Sequence, residues 1–482
     1  MKEKQPFKVQ DVVGRDLLFV GGDLSGIQDF LYNITSKKAA VSLKGRSQYL
    51  VNLTNEMEEE LLHLPKVAES ATKHVVYSSG GKFYLIIDDT TDIRSDIDAF
   101  KTRMERKLWN EHKGQLAVNL AYVPFSFNGD ETVNTQYGAG QRLGTLWKEA
   151  NELFAQLKVQ KFRSLLIEDY PDFFGVQDVK PDSRICAVSG VESSECVLLE
   201  KDSDGDEIYV LPSVKEQVEL GKKLRDRDHF KTFEEYADNT YLGILRMDVD
   251  GLGKVFIEGF ATLKAYEDFS NNLAEFFEEK LYDIQSKDKY KEYLNIVYAG
   301  GDDIFAVGRW DKLIDFANEV RKQFARHVLR EGVSISGGIA IVDAKFPISK
   351  AAILSGKAEE KAKKYNNGAK NAFNMFGTTV SWVKEFDFVE EWKNGFVELC
   401  EKEDMPTSIL HKLMTFAYMK SEGNTSYVWN SVYFLARFKI GKSKLIRDFC
   451  TSLETKLFAT PNNYELIALA ARWAELTIRI NK

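Results

Sequence analysis

Cysteine is scarce in this 482-residue sequence, which has only Cys186, Cys196, Cys400 and Cys450. Four cysteines so widely spread cannot make the dense framework of a disulfide-stapled domain, and a reducing compartment fits. Long hydrophobic runs are missing too. Nowhere do about 18 apolar residues follow one another, which excludes a membrane-spanning helix. The opening MKEKQPFKVQDVVGRD has no apolar core for a secretory signal, so the cytoplasm is expected and no membrane partner is. No block of five or more basic residues occurs, and the net charge is −8. Proteins that grip nucleic acid alone through its phosphates usually present a basic surface. Any nucleic-acid role is therefore expected to be shared with partner subunits.

What is present is the composition of a folded protein, 44% hydrophobic and 29% charged. The length exceeds one ordinary core, so roughly three or four domains are expected. YLGILRMD, ending at 248, is an apolar run that meets a glycine-rich turn, DVDGLGKVF. Leu263, Tyr266, Phe269, Leu273 and Phe276 then recur at helical spacing. NIVYAGGDDIFAVG, residues 295–308, reads as a β-hairpin with Gly300-Gly301-Asp302-Asp303 at its tip. An amphipathic helix, the strand VSISGGIAIV and a lysine-rich helix follow. The order β-α-β-β-α-β is the ferredoxin-like unit.

The front of the chain repeats it. LLFVGGDLSG matches the strand ending in DVDG, and HVVYSSGGKFYLIID matches the hairpin, in the same order and at nearly equal offsets. Such self-similarity predicts a duplicated domain. Laid glycine on glycine, the copies differ where charge matters: Ser25, Lys82 and Phe83 stand against Asp250, Asp302 and Asp303. The expected fold is α+β, with four units. These are a first ferredoxin-like unit without those acidic residues at 1–150, a connector at 151–238, a second ferredoxin-like unit carrying the GGDD hairpin at 239–384 and a helical domain at 385–482.

Asp248 and Asp250 are two apart at a strand end and should point to one face. In a ferredoxin-like sheet that strand lies beside the hairpin, bringing Asp302 and Asp303 close to Asp248. Crowded carboxylates cannot all stay ionised without a counter-charge. Bound Mg²⁺ suits such oxygen ligands, and two ions can clamp the attacking and leaving oxygens of a phosphoryl displacement. Glycine and aspartate are also ordinary turn residues, so GGDD alone fits a plain turn. Its pairing with DVDG is what points to a metal.

DVDGLGKV with YAGGDDIFAVG, then SISGGIAIV and a lysine-rich helix, resembles the polymerase/cyclase palm of nucleotidyl cyclases. GGDLSGIQDFLYNITSKKAAVSLKGRSQYL is similar to the first palm of the large subunit of type III-A CRISPR effector complexes, the Csm family. That resemblance implies synthesis of 3′–5′ cyclic oligoadenylates from ATP when the complex holds a foreign RNA. It implies other complex subunits, guide RNA and target RNA as partners. It implies that Asp248, Asp302 and Asp303 hold Mg²⁺ or Mn²⁺, with Asp250 a looser neighbour. Gly300 and Gly301 would let the backbone approach the phosphates, and Lys363 would reach the triphosphate. A solvated helix face is the other reading of Lys363.

Two features depart from the family. Members often begin with a His-Asp phosphohydrolase domain, but none of the six histidines here precedes an aspartate, and no DNase activity is expected. The family's paired Cys-x-x-Cys motifs survive only as Cys186 and Cys196, with Ser189 and Leu199 in the second positions. Structural zinc normally takes four N or S ligands, so no zinc is expected. GAGQRLG (138–144) has the wrong spacing for a dinucleotide loop, and DSDGDE (202–207) lacks the later ligands of a calcium loop. Two rival functions stay open: a catalytically idle scaffold, and a transferase joining AMP to another acceptor.

Overall fold

The computed structural model describes residues 7–481 apart from 36–37, 169, 171–181, 203–204 and 239. Part of the acidic loop at 202–207 lies outside the described residues. The first sheet contains β1 (Leu17–Ser25), β2 (Lys73–Ser79), β3 (Lys82–Asp88), β4 (Ala117–Phe127), β5 (Val133–Thr135) and β6 (Gly138–Gln141). Its order is β2-β3-β1-β4-β5-β6. Helices Ala39–Leu62 and Thr91–His112 make the two crossovers. The GAGQRLG segment thus opens as an edge strand.

Two small ribbons follow, β7 (Arg184–Ile185) with β8 (Glu192–Ser193), and β9 (Val197–Lys201) with β10 (Glu207–Val210). The second sheet contains β11 (Tyr241–Asp250), β12 (Leu294–Gly300), β13 (Asp303–Gly308), β14 (Ser334–Asp343), β15 (Ala372–Met375) and β16 (Thr378–Ser381). Its order, β12-β13-β11-β14-β15-β16, is that of the first sheet. One difference is local: β15 runs parallel to β14. A parallel pair needs a crossover, and helix Ile348–Lys363 supplies it. The helical spacing after Thr262 gives helix Leu263–Glu275, which loosens into a π-helical turn at Phe276–Lys280.

The duplication is carried down to irregularities. Both hairpins shift register just before a tyrosine, Tyr77 in one and Tyr298 in the other. Gly26 and Gly251 both cap a helix with left-handed backbone, φ 91° and 76°. Register also corrects the alignment read from the letters. Ser79 pairs with Lys82 as Gly300 pairs with Asp303, and Asp23 pairs with Lys82 as Asp248 pairs with Asp303. The counterpart of Gly301 is therefore Gly80, and the counterpart of Asp303 is Lys82. Letters aligned glycine to glycine; hydrogen bonding aligns turn to turn.

The alternation of strands divides the interior in two. Phe19, Leu245 and Met247 face a core shared with Trp147, Trp310 and the C-terminal helices. Leu18, Val20 and Ile244 face the other, with helix Ala39–Leu62 and connector residues Val214 and Val218. Both palms contribute to both cores. The boundary expected at 150 falls within helix Gly144–Lys158, which packs on β1 and β4. A helix with buried Leu146, Trp147, Ala150 and Phe154 is no linker, and we propose that the first palm extends through it. After residue 384 come five helices, the last of which, Asn463–Ile480, is buried along most of its length. Among the described residues no helix is long and apolar enough to cross a membrane.

Candidate functional site

Strand β11 carries Asp248 between two neighbours, opposite Asp303 on β13 and opposite Ser336 on β14. The β12–β13 turn is closed by Gly300 and Asp303, and Gly301 within it has φ 64°, which favours glycine. The Asp302 N–H donates to the Gly300 carbonyl (2.7 Å), and the Asp302 carbonyl accepts from the Val249 N–H (3.0 Å). These bonds fasten the turn to the end of β11. As a result one oxygen each of Asp248, Asp302 and Asp303 lies within 4.8 Å of the others. Among the described residues no other group of three His, Cys, Asp or Glu side chains gathers this closely.

Crowding shows in the acidities. Burial, and then the neighbouring Asp248, push the Asp302 carboxyl up to about 6, against the opposing pull of Lys82 and Lys363. Burial and a hydrogen bond shared with Asp248 hold Asp303 well above the usual carboxylate range. A set of three hard oxygen donors short of positive charge suits a divalent cation. Lys363 meets part of that need. Its Nζ lies 2.5 Å from Asp248 Oδ2 and 2.9 Å from Glu359 Oε1. Burial opposes its charge, yet these carboxylates hold it above an ordinary lysine. The solvated-face reading of Lys363 does not describe this position.

Asp250 is the exception among the expected residues. It is 3% exposed, and its Oδ2 accepts from Ser334 Oγ (2.6 Å), Ser336 Oγ (2.7 Å) and the Asn371 N–H (3.1 Å). The reason is that β13 ends opposite Asp248, so two residues on only β14 remains alongside, and Asp250 turns to its hydroxyls. It stands outside the carboxylate trio. Gly300 and Gly301 admit protein atoms: a Cβ on Gly300 would lie 2.6 Å from the Tyr298 hydroxyl, and one on Gly301 would lie 3.0 Å from Gly80 Cα.

The trio opens onto a cleft of about 450 Å³ whose opposite side is the first palm, including Gln28, Lys82 and Lys158. There, Asp23 holds the position of Asp248 but has ammonium groups for company. Lys158 Nζ is 2.8 Å away and Lys82 Nζ 3.9 Å. Lysines thus supply in the first palm the charge that the second palm leaves unmet. Sequence reasoning missed Lys158 because it arrives on a helix from beyond the expected boundary. In the connector, Cys186 is buried and accepts from the N–H of Ser189 (3.4 Å), the residue in the second cysteine's place.

Two family models match the chain, Csm1 subunit domain B at residues 16–175 and the second palm domain of Cas10/Cmr2 at residues 241–374. A Mycobacterium tuberculosis protein, the CRISPR system single-strand-specific deoxyribonuclease Cas10/Csm1 of subtype III-A, is 26% identical over 86% of this chain and 61% of its own length. The Enterococcus italicus protein of the same name is 28% identical over 92% of this chain and 64% of its own. The chain therefore spans somewhat under two thirds of these relatives. Among solved structures, the Csm1-Csm4 cassette in complex with pppApApA matches at a TM-score of 0.66 and 18% identity, over 97% of this chain and 70% of that one. The cassette in complex with cA4 matches at 0.65 and 18%, over 99% and 71%. With both domain models met in order along a shared fold, the chain carries a Csm1 domain B and a Cas10/Cmr2 second palm and is similar to the Cas10/Csm1 large subunits of type III-A CRISPR systems.

Proposed function

We propose that this chain is a metal-dependent nucleotidyltransferase that makes cyclic oligoadenylates from ATP, in a type III CRISPR complex activated by target RNA. The observation that carries this reading is the trio of Asp248, Asp302 and Asp303, gathered within 4.8 Å at the mouth of a cleft between two palms. The relatives support it: Csm1-Csm4 cassettes have been solved with AMPPNP, with pppApApA and with cA4. Csm4-like and other complex subunits, with guide and target RNA, are the proposed partners.

The 3′-hydroxyl oxygen of one ATP would attack the α-phosphorus of another. A new phosphodiester bond forms, the bond to the β-phosphate oxygen breaks, pyrophosphate leaves with the electron pair, and the hydroxyl proton passes to solvent. Phosphoryl transfer of this kind is mostly positioning and charge neutralisation. Asp248, Asp302 and Asp303 would hold Mg²⁺ or Mn²⁺, which supplies positive charge to the phosphoryl oxygens and the leaving group. Lys363, already inside the carboxylate cluster, would turn its ammonium to a triphosphate. Lys82 and Lys158 add positive charge on the facing wall of the cleft.

The test is product mass spectrometry on assembled complex given ATP and Mg²⁺, with and without matching target RNA. Cyclic oligoadenylates only with target, and absent from the Asp302→Ala, Asp303→Ala double variant, are expected. Another adenylylated product would keep the site and change the acceptor. No turnover by intact, target-bound complex would overturn the reading in favour of an idle scaffold.

A further inference from the structure

Lys363 is held from behind by residues that lead into the other palm. Glu359, one helical turn before it and 8% exposed, divides its carboxylate between two cations. Oε1 lies 2.9 Å from Lys363 Nζ, and Oε2 lies 3.5 Å from Arg246 Nε. Arg246 is also 8% exposed, and the face it turns from Glu359 meets Tyr32, with its guanidinium carbon 5.3 Å from the ring centre. Tyr32 belongs to the first palm. It ends helix Ile27–Tyr32, whose opening residues Ile27, Gln28 and Asp29 line the cleft. Its ring also packs 4.6 Å from that of Phe305 on β13, two residues beyond Asp303.

This chain of contacts has little slack. A Cβ on Gly338 would lie 2.3 Å from the Glu359 nitrogen, and one on Gly356 would lie 2.7 Å from Arg246 Nη1. Helix Ile348–Lys363 therefore sits hard against β14, with the arginine threaded beneath it. Buried charges persist only when paired, so Glu359 cannot release one cation without changing its hold on the other. The planar guanidinium is suited to bond a carboxylate on its edge and an aromatic ring on its face at once.

We infer that Tyr32 and Arg246, acting through Glu359, position Lys363, so that the docking of the first palm sets the lysine of the second. Tyr32, Arg246 and Glu359 are positioning residues in this scheme. None of the three lines the cleft itself. What the lysine does depends on the proposed nucleotidyl transfer; how it is held does not. A first palm drawn away from the second would strip Arg246 of its aromatic face, free Glu359 to follow it toward solvent, and leave Lys363 with Asp248 alone.

The experiment reads the lysine directly. Full-length chain is treated briefly with acetic anhydride, and acetylation of Lys363 is quantified by peptide mass spectrometry against exposed Lys364 as internal standard. Tyr32→Leu, which removes the ring while keeping bulk, is expected to raise Lys363 labelling several-fold, and Glu359→Gln more. Tyr32→Phe keeps the ring and is expected to label as the unaltered chain does. In assembled complex, Tyr32→Leu is expected to raise KM for ATP by more than it lowers kcat, with Tyr32→Phe restoring both. If Glu359→Gln fails to fold, the Tyr32 pair still decides. Equal Lys363 labelling in Tyr32→Leu and the unaltered chain would overturn the coupling. Labelling that follows the ring in a protein with no ATP turnover would uphold the coupling and sink the proposed function instead.

Discussion

Gly80 of the first hairpin and Gly301 of the second meet backbone to backbone: a Cβ on Gly80 would fall 2.7 Å from the Gly301 Cα. Both residues have left-handed backbone, φ 62° and 64°. The two palms thus touch through the tips of equivalent turns, and the carboxylate trio sits at the edge of that contact. Gly80→Ala adds overpacking of about 1–3 kcal/mol to a backbone cost of about 1–2 kcal/mol. Gly140 has φ 65° but open space around it, so Gly140→Ala isolates the backbone cost. Thermal unfolding should show Gly80→Ala the less stable of the two, and only Gly80→Ala should weaken nucleotide binding.

Removing the cluster should remove the response to metal. In the unaltered chain, Mg²⁺ with a non-hydrolysable ATP analogue is expected to raise the melting temperature, because a ligand that binds only the folded state stabilises it. In the Asp302→Ala, Asp303→Ala variant that shift should vanish. Without metal the variant should melt no lower than the unaltered chain, since it has lost two crowded carboxylates. A metal-free variant that melts well below the unaltered chain would mean that the aspartates are structural.

The raised acidity of Asp302 gives a pH dependence with a definite sign. Its carboxyl moves from an ordinary 3.8 to about 6 on folding, and Asp303 shifts in the same direction. The folded state therefore binds protons that the unfolded state releases. This contribution to stability is complete below the unfolded value and is lost as pH rises through about 6. Denaturant titrations without metal should show it, and Asp302→Asn should flatten the curve in that window. Saturating Mg²⁺ should oppose the loss at higher pH, because it binds the ionised carboxylates.

The site was legible where chemistry is local and illegible where it depends on what packs from afar. Asp248, Asp302 and Asp303 could be brought together on paper because strand order in a ferredoxin-like sheet puts the hairpin beside the first strand. The second β-α-β-β-α-β unit follows from apolar periodicity and turn glycines, and the first from its likeness to the second. The hairpin copies differ by one residue between letters and register, because the glycine pairs match by letter whereas cross-strand bonds match Ser79 to Gly300. Asp250 was placed beside the trio because a period of two puts it on the same face. That period says nothing of where the neighbouring strand stops. Tyr32, Lys82 and Lys158 reach the second palm's surroundings through docking of two units, for which no short stretch of sequence carries a sign.

Lys158 offers a test of how the first palm balances the charge of Asp23. Asp23 is 2% exposed and relies on Lys158 at 2.8 Å, with Lys82 further off. Lys158→Ala leaves a buried carboxylate short of charge and should cost about 1–3 kcal/mol in chemical denaturation. Asp23→Asn in the same chain should recover most of that loss. An additive pair, with no recovery, would show that the ammonium does not serve Asp23.

Asp250 decides between a ligand and a strut. Its Oδ2 gathers two hydroxyls and a backbone N–H from β14 and from the entry to β15, while Oδ1 is buried with no hydrogen-bond partner among the described residues. A metal ligand would face the trio; a strut would tie strands. Asp250→Ala should cost about 3 kcal/mol, because three donors lose a charged acceptor in a buried place. Asp250→Asn keeps an oxygen for them and should cost about half as much. Calorimetric titration of nucleotide with Mg²⁺ should give Asp250→Asn an affinity within about twofold of the unaltered chain, and Asp248→Asn a loss of tenfold or more, about 1.4 kcal/mol. Equal losses in the two asparagine variants would return Asp250 to the ligand set. A loss confined to Asp248→Asn would fix Asp250 as the residue that holds β11, β14 and β15 together behind the carboxylates.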